Sequence, residues 1–191
     1  MAEGIILAAG RAERAQTNKL MLTVDHRPLI CHATASMRKF VSKIIVVTGH
    51  YDTDIREALR NENDVMCVKN TNYDHGMFAS VKCGVFESRD DFFILPGDCP
   101  FVKPSTYEAL LFEAEGLIRV PVTTSGRRGH PILINHALKE ALLASKDDTS
   151  LKAFRNRFGF SEVIVDDKAI VDDIDTLKDY KTIVNRSERN G

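Results

Sequence analysis

The chain has 191 residues, a length that suits one domain able to bury a continuous core without disulfides or structural metal. Its formal net charge of -1 argues against a protein that neutralises many nucleic-acid phosphates nonspecifically. No apolar stretch reaches membrane-spanning length and the MAEG start lacks the basic region of a secretory leader, so a cytoplasmic protein without membrane or nucleic-acid partners is expected. Cys31, Cys67, Cys83 and Cys99 are widely separated with no CxxC pair, and they read as reduced thiols.

A continuous apolar run over 5–7 predicts a buried parallel strand, followed by the small residues Ala8, Ala9 and Gly10. A backbone so bare admits close approach of a ligand. Arg11, Arg14 and Lys19 then place cations beyond the strand's carboxyl end, where open α/β sheets bind their ligands. The stretch lacks the spaced glycines of the dinucleotide fingerprint. It also lacks the glycine before the lysine, and the Ser or Thr after it, that a P-loop requires. What remains is a cationic cradle suited to a polyanion such as a triphosphate.

Downstream, helical spacing after Pro28 predicts a helix over 28–38, and a β-branched run over 44–47 predicts a second buried strand. His50 follows it, as a ligand contact or as a structural loop residue. A short helix over 52–59 and a strand over 65–68 complete an alternation that predicts a mostly parallel sheet. Met77, Val81, Gly84 and Val85 recur at helical spacing, so a helix is expected after Gly76 with Met77 and Val81 turned to the core. That packing leaves Gly76, Ser80 and Gly84 unexplained.

The run over 92–95 predicts a fourth strand ending at Pro96-Gly97, so that Asp98 emerges beside the first loop, as a helix cap or as a ligand-binding carboxylate. A helix over 104–115 leads to strands over 117–122 and 131–134, joined by a turn that carries Arg127 and Arg128 and ends in Arg-Gly-His-Pro. Helices over 137–143 and from 149, then a strand over 161–165, precede the acidic stretch 172–175. There Asp175 or Thr176 can cap a helix over 177–184.

LAAGRAERAQTNK, GDCP and RGHP together resemble the motifs of the MobA-like nucleotidyltransferases, and most closely those of the molybdenum cofactor cytidylyltransferase branch. The resemblance implies a single-domain Rossmann-like α/β fold of the nucleotide-diphospho-sugar transferase type. Residues 1–100 would form the nucleotide-binding half, 101–185 the acceptor side and 186–191 a tail. It implies Arg14 and Lys19, with Arg11, on the triphosphate; Leu7, Ala8, Ala9, Gly10, Gly76 and Ser80 at the base and ribose; and Arg128 and His130 at the acceptor. Asp98 would be the magnesium-binding catalytic carboxylate, joined by Asp175, which reads equally as a helix cap. The implied reaction moves CMP from CTP, or a nucleotidyl group from another NTP, to the phosphate of molybdopterin-type cofactor. A molybdoenzyme would receive the product.

Departures from the pattern bear on that reading. Ala15-Gln16 stands where the family has Met-Gly, Asp147 and Ser150 replace two glycines, Lys152 replaces an arginine and Leu177 a proline. Two other readings therefore stand beside the first: transfer to a sugar phosphate or other small phosphorylated acceptor, and a non-catalytic accessory protein that binds nucleotide or molybdenum cofactor. A phosphate monoester is already largely ionised at neutral pH, so the transfer needs positioning and charge neutralisation rather than a general base.

Overall fold

The computed structural model describes residues 1–11, 18–146, 148–174 and 180. Nine strands and six α-helices are described. The main sheet contains β1 (Glu3–Ala8), β4 (Ile44–Thr48), β5 (Val65–Lys69), β6 (Phe92–Pro96), β7 (Ile118–Thr123), β8 (Ile132–Ile134) and β9 (Ser161–Val165), in the order β5-β4-β1-β6-β8-β7-β9. β1 pairs in parallel with β4 and β6, β4 with β5, and β7 with β9, while β8 runs antiparallel to both β6 and β7. The sheet is mostly parallel, as the alternation of runs predicts, and the 124–131 connection supplies its one reversed strand.

Alternate residues of the central strands feed two cores. Ile6, Val46, Phe93 and Leu95 face one side, where α1 (Leu29–Met37), α2 (Asp52–Leu59) and α4 (Pro104–Phe112) contribute Ile30, Met37, Ile55, Leu59, Tyr107 and Leu110. Ile5, Ile45, Val47, Phe92 and Ile94 face the other side. There α3 (Met77–Glu87), α5 (Lys139–Leu143) and α6 (Leu151–Phe158) supply Val81, Val85, Leu142 and Phe154. Each large aliphatic side chain so buried contributes roughly 1.5–3 kcal/mol. Burial on both faces is why these strands read as unbroken apolar runs rather than alternating ones.

Three local features depart from the expectations. Residues 23–28 form a small hairpin of β2 (Thr23–Val24) and β3 (Arg27–Pro28), turned by Asp25 and His26 at φ 47° and 60°. Two successive positive φ values define a two-residue hairpin turn, here without the usual glycine. Pro28 consequently ends a strand and precedes the helix instead of opening it. Met77 is 61% exposed, in contrast to its expected core position, because Phe78, Val81 and Val85 take the buried face of α3 and leave Met77 turned outward. The helix expected over 177–184, with its caps Asp175 and Thr176, lies outside the described residues apart from Tyr180, as does the 186–191 tail. Among the described residues no helix is long and apolar enough to cross a membrane.

Helix α3 lies very close to the sheet at Gly84, where an added Cβ would stand 2.5 Å from Ile5 Cγ2 and 2.9 Å from Val47 Cγ2. These are stiff β-branched side chains in fully buried strands, so neither moves aside cheaply. Gly84→Ala should cost about 1–3 kcal/mol, the usual penalty of overpacking. Urea unfolding measures it as a lowered midpoint with an unchanged slope.

Candidate functional site

The site is built where β1 and β6 end. Leu20 is buried and anchors the short 3-10 turn Lys19–Met21, which fixes the base of the Lys19 side chain. Gly97 N donates to Leu7 O at 2.9 Å and Cys99 N to Pro96 O at 3.1 Å, so the GDCP turn continues the β6 ladder beside the first loop. Asp98 and Lys19 then meet, with Lys19 Nζ donating to Asp98 Oδ2 at 2.7 Å. Both side chains are largely shielded, at 17% and 21% exposure. Removal from water strengthens their attraction and raises the cost of leaving either alone.

Cys99 Sγ lies 3.9 Å from Asp98 Oδ1. Burial first, and the Asp98 carboxylate second, push its thiol well above the ordinary range, so it stays protonated.

The pair borders a cavity of about 330 Å³. Leu7, Ala8, Ala9 and Gly10 line it from the end of β1 and the loop after it, and Gly76, Met77 and Ser80 from the entry and first turn of α3. Gly76 has φ +93° and precedes the helix, a conformation that a side chain would strain. Ser80 is fixed by Asn70, whose Nδ2 donates to Ser80 Oγ at 3.1 Å while its Oδ1 accepts from Asn72 N at 2.9 Å. Thus Leu7, Ala8, Ala9, Gly10, Lys19, Gly76, Ser80 and Asp98 come together as expected by their positions. Asn18, Tyr73 and Met77 also line the cavity, and sequence reasoning missed them as site residues. Their one signal was nearness to the loop lysine and to Gly76.

Arg11 is placed differently. It does not line the cavity. It pairs with Asp74, with Nη2 2.8 Å from Oδ2, and its guanidinium lies 5.5 Å from the centre of the Tyr73 ring. The two acceptor-side candidates also stand apart from this cavity. Arg128 Nε donates to Glu162 Oε1 at 2.5 Å and its guanidinium lies 5.2 Å from the Phe160 centroid. His130 N donates to Ile170 O at 2.8 Å, and its Nδ1 is shielded without a hydrogen-bond partner. Arg14 and Asp175 lie outside the described residues, as do Ala15, Gln16 and Asp147. The segment leading to Asp175 does reach the centre, since Ile174 N donates to Asp98 O at 3.1 Å.

A second cavity of about 230 Å³ shares Gly76 and Met77 with the first and is bordered by Asp148, Thr149 and Ser150. Ser150, in place of a glycine, caps α6 by accepting from Ala153 N at 3.1 Å.

Among the described residues no group of three or more His, Cys, Asp or Glu side chains is arranged to hold a metal. Magnesium, however, is commonly held by one or two carboxylates together with substrate phosphates and water. Asp98, at a cavity mouth beside a lysine, fits that mode of binding. The donor set does not resemble a closed all-protein cage.

A family model described as the MobA-like NTP transferase domain matches residues 4–163. An Escherichia coli K12 protein, molybdenum cofactor cytidylyltransferase, is 26% identical over 184 residues, covering 95% of each chain. A solved nucleotidyl transferase from Methanothermobacter has a TM-score of 0.85 at 24% identity, over 100% of this chain and 99% of its own. A Mycobacterium tuberculosis protein solved in complex with manganese gives 0.78 at 22% identity, over 96% and 98%. At those identities the two solved structures show the shared fold.

His130 generates a pH prediction. Burial first, partly opposed by the Ile94 backbone and reinforced by Arg155, lowers its pKa from the ordinary 6.5. The unfolded chain therefore takes up this proton at a higher pH than the folded one. The corresponding stability is fully present above pH 6.5 and is lost as pH falls toward the folded value. Urea titrations at pH 7.5 and 5 should show a smaller acid loss for His130→Gln than for the wild type; equal losses would contradict the assignment.

Proposed function

The chain belongs to the MobA-like NTP transferase family, and from that membership we propose that it transfers CMP from CTP to the phosphate of a molybdopterin-type cofactor, releasing pyrophosphate. The observation that carries this reading is the meeting of Lys19 and Asp98 at one cavity mouth, at 2.7 Å, beside the bare backbone of Ala8, Ala9 and Gly10. One cation and one carboxylate at the edge of a nucleotide-sized cavity are what a metal-assisted attack on an α-phosphate requires. The E. coli relative's cytidylyltransferase name supports the choice of CTP and acceptor.

In the proposed reaction an acceptor phosphate oxygen forms a bond to the α-phosphorus of CTP. The bond from that phosphorus to the bridging oxygen breaks, and the electron pair leaves with pyrophosphate. Lys19 turns from Asp98 to the β- and γ-phosphates and neutralises the leaving group by charge-assisted hydrogen bonding. Arg14, by its place in the motif, joins Lys19 there. Asp98 holds magnesium, with Asp175 as the second candidate carboxylate. When bound, magnesium supplies charge neutralisation at the α-phosphate. Leu7 to Gly10, Gly76 and Ser80 bind the nucleoside. The second cavity, beside Asp148 and Ser150, and the turn carrying Arg128 and His130 lie on the acceptor side.

No proton need be removed from the acceptor, whose second ionisation is near pH 6. Positioning two anions against their repulsion is then the main task.

A second reading, transfer to a sugar phosphate or another small phosphorylated acceptor, is favoured by Ser150 and Lys152 standing where cytidylyltransferase-like sequences carry glycine and arginine. A panel of phosphorylated acceptors with magnesium and each of the four NTPs separates the readings by which pair releases pyrophosphate. Absence of release with every pair, despite tight nucleotide binding, would instead favour an accessory binding protein. With the active pair, Lys19→Ala should lower turnover by roughly two to three powers of ten, the scale of losing one preorganised donor. Unchanged pyrophosphate release would refute the role of Lys19.

A further inference from the structure

The strand order lays out what stands along the carboxyl edge of the sheet. Asp98 follows β6, the 8–10 loop follows β1, and the loop carrying Tyr73 follows β5 beyond β4. β6 and β4 are two strand spacings apart, on the order of 10 Å. One cavity spans this interval, with the Lys19–Asp98 pair toward β6 and Tyr73, Gly76 and Met77 toward α3. A nucleotide with its phosphates at Lys19 would therefore carry its base to the α3 side.

That side has the right chemistry for a flat, weakly polar ring. Tyr73 is the one aromatic side chain among the described lining residues, and Met77 presents an exposed, adaptable thioether next to it across Gly76. Apart from its chain neighbours, no atom stands within 4 Å of a Cβ built on Gly76, so the space beside this glycine is open.

Tyr73 is also held in place. Arg11 lies 5.5 Å from its ring centre, and the His50 ring meets it edge-on at 6.1 Å. Arg11 is itself fixed by Asp74 at 2.8 Å, and its carbonyl accepts from Tyr51 Oη at 3.2 Å. His50 meets Tyr51 edge-on at 4.6 Å, which closes the cluster. An ordinary surface tyrosine has no need of so many supports.

Resting on the nucleotidyl reading above, we propose that the base of the bound nucleotide stacks on the Tyr73 face opposite Arg11, with Met77 against its edge. Arg11 is then a positioning residue that braces this slot through Asp74. It is not a ligand of the triphosphate. The assignment accounts for His50 as well, as a prop of the aromatic wall rather than a substrate contact.

The chain contains no tryptophan, so Tyr73→Trp provides a single fluorescent reporter at the slot. CTP or another bound NTP, with magnesium, should quench its emission. Magnesium tripolyphosphate, which has no base, should compete with the nucleotide yet leave the emission unchanged. Tyr73→Ala should weaken nucleotide binding roughly five- to hundredfold, the range for losing one base–aromatic stack, while Tyr73→Phe stays near wild type. Arg11→Ala should raise the Kd for nucleotide severalfold without changing that for tripolyphosphate.

Thermal shift of the wild type with each NTP is the control, because a ligand bound only by the native state raises Tm. If no NTP shifts the wild type, the nucleotidyl reading fails and the slot with it. If an NTP does, the slot alone is overturned by unchanged emission in Tyr73→Trp, by an unchanged Kd in Tyr73→Ala, or by loss of tripolyphosphate binding in Arg11→Ala.

Discussion

The parallel register of β1 between two neighbours is the constraint on which the rest of this molecule depends. Leu7 stands level with Val47 on one side and with Pro96 on the other, so the loops after β1, β4 and β6 leave the sheet at one height. The ladder even runs past the strands, with His50 N donating to Ala9 O at 3.4 Å and Gly97 N to Leu7 O at 2.9 Å. Gly49 permits this approach, since a Cβ there would stand 2.5 Å from Ala9 O. The two buried faces hold the register, because a slip of one residue would exchange the side chains of the two cores. Convergence of distant parts of the chain on one edge is thus a result of core packing.

Within that frame the ion pairs beside the cavity contribute little stability. A shielded ion pair recovers in attraction little more than it loses in hydration, so Lys19 and Asp98 add little to folding. Their close contact instead keeps an ammonium group and a carboxylate ready at the cavity mouth, each neutralised by the other. Arg11 and Asp74 make a more exposed pair, of modest worth by itself, but one that ties the loop after β1 to the loop before α3. The cavity is accordingly walled by two loops that are cross-linked electrostatically and seated on a rigid sheet.

The elements most plainly written in the residues are the ones whose burial follows a clear pattern. The runs at 44–47 and 92–95 are buried at every residue, while the helix at 52–59 and the strand at 161–165 are covered on one side, and all lie where their apolar patterns predict. Ambiguity begins where adjacent apolar residues compete for one buried face. Met77 has the spacing of a core residue, but Phe78 beside it takes the buried position and leaves Met77 exposed. The hairpin at 23–28 was hidden because its turn is Asp-His, without the glycine that normally marks positive φ. Tyr73 and Asn70 belong to a loop with no periodicity at all; Tyr73 is placed by Arg11 and His50, distant in sequence, and Asn70 by its bonds to Ser80 and Asn72. The motif residues Lys19 and Asp98 were legible for the opposite reason: Lys19 lies in the connection after β1 and Asp98 in the turn after β6, and parallel strands put their ends together.

Cys99 gives this centre a chemical character of its own. A sulfur atom beside the Asp98 carboxylate looks at first like a point of oxidative control, since free thiols are the targets of peroxide and alkylating agents. Those reagents act on the anionic form of sulfur, which a lowered pKa and solvent access favour. Here enclosure and the adjacent negative charge both oppose that form. Sulfur in this position behaves as a small apolar filler, shielded from the reagents that an exposed thiolate would meet.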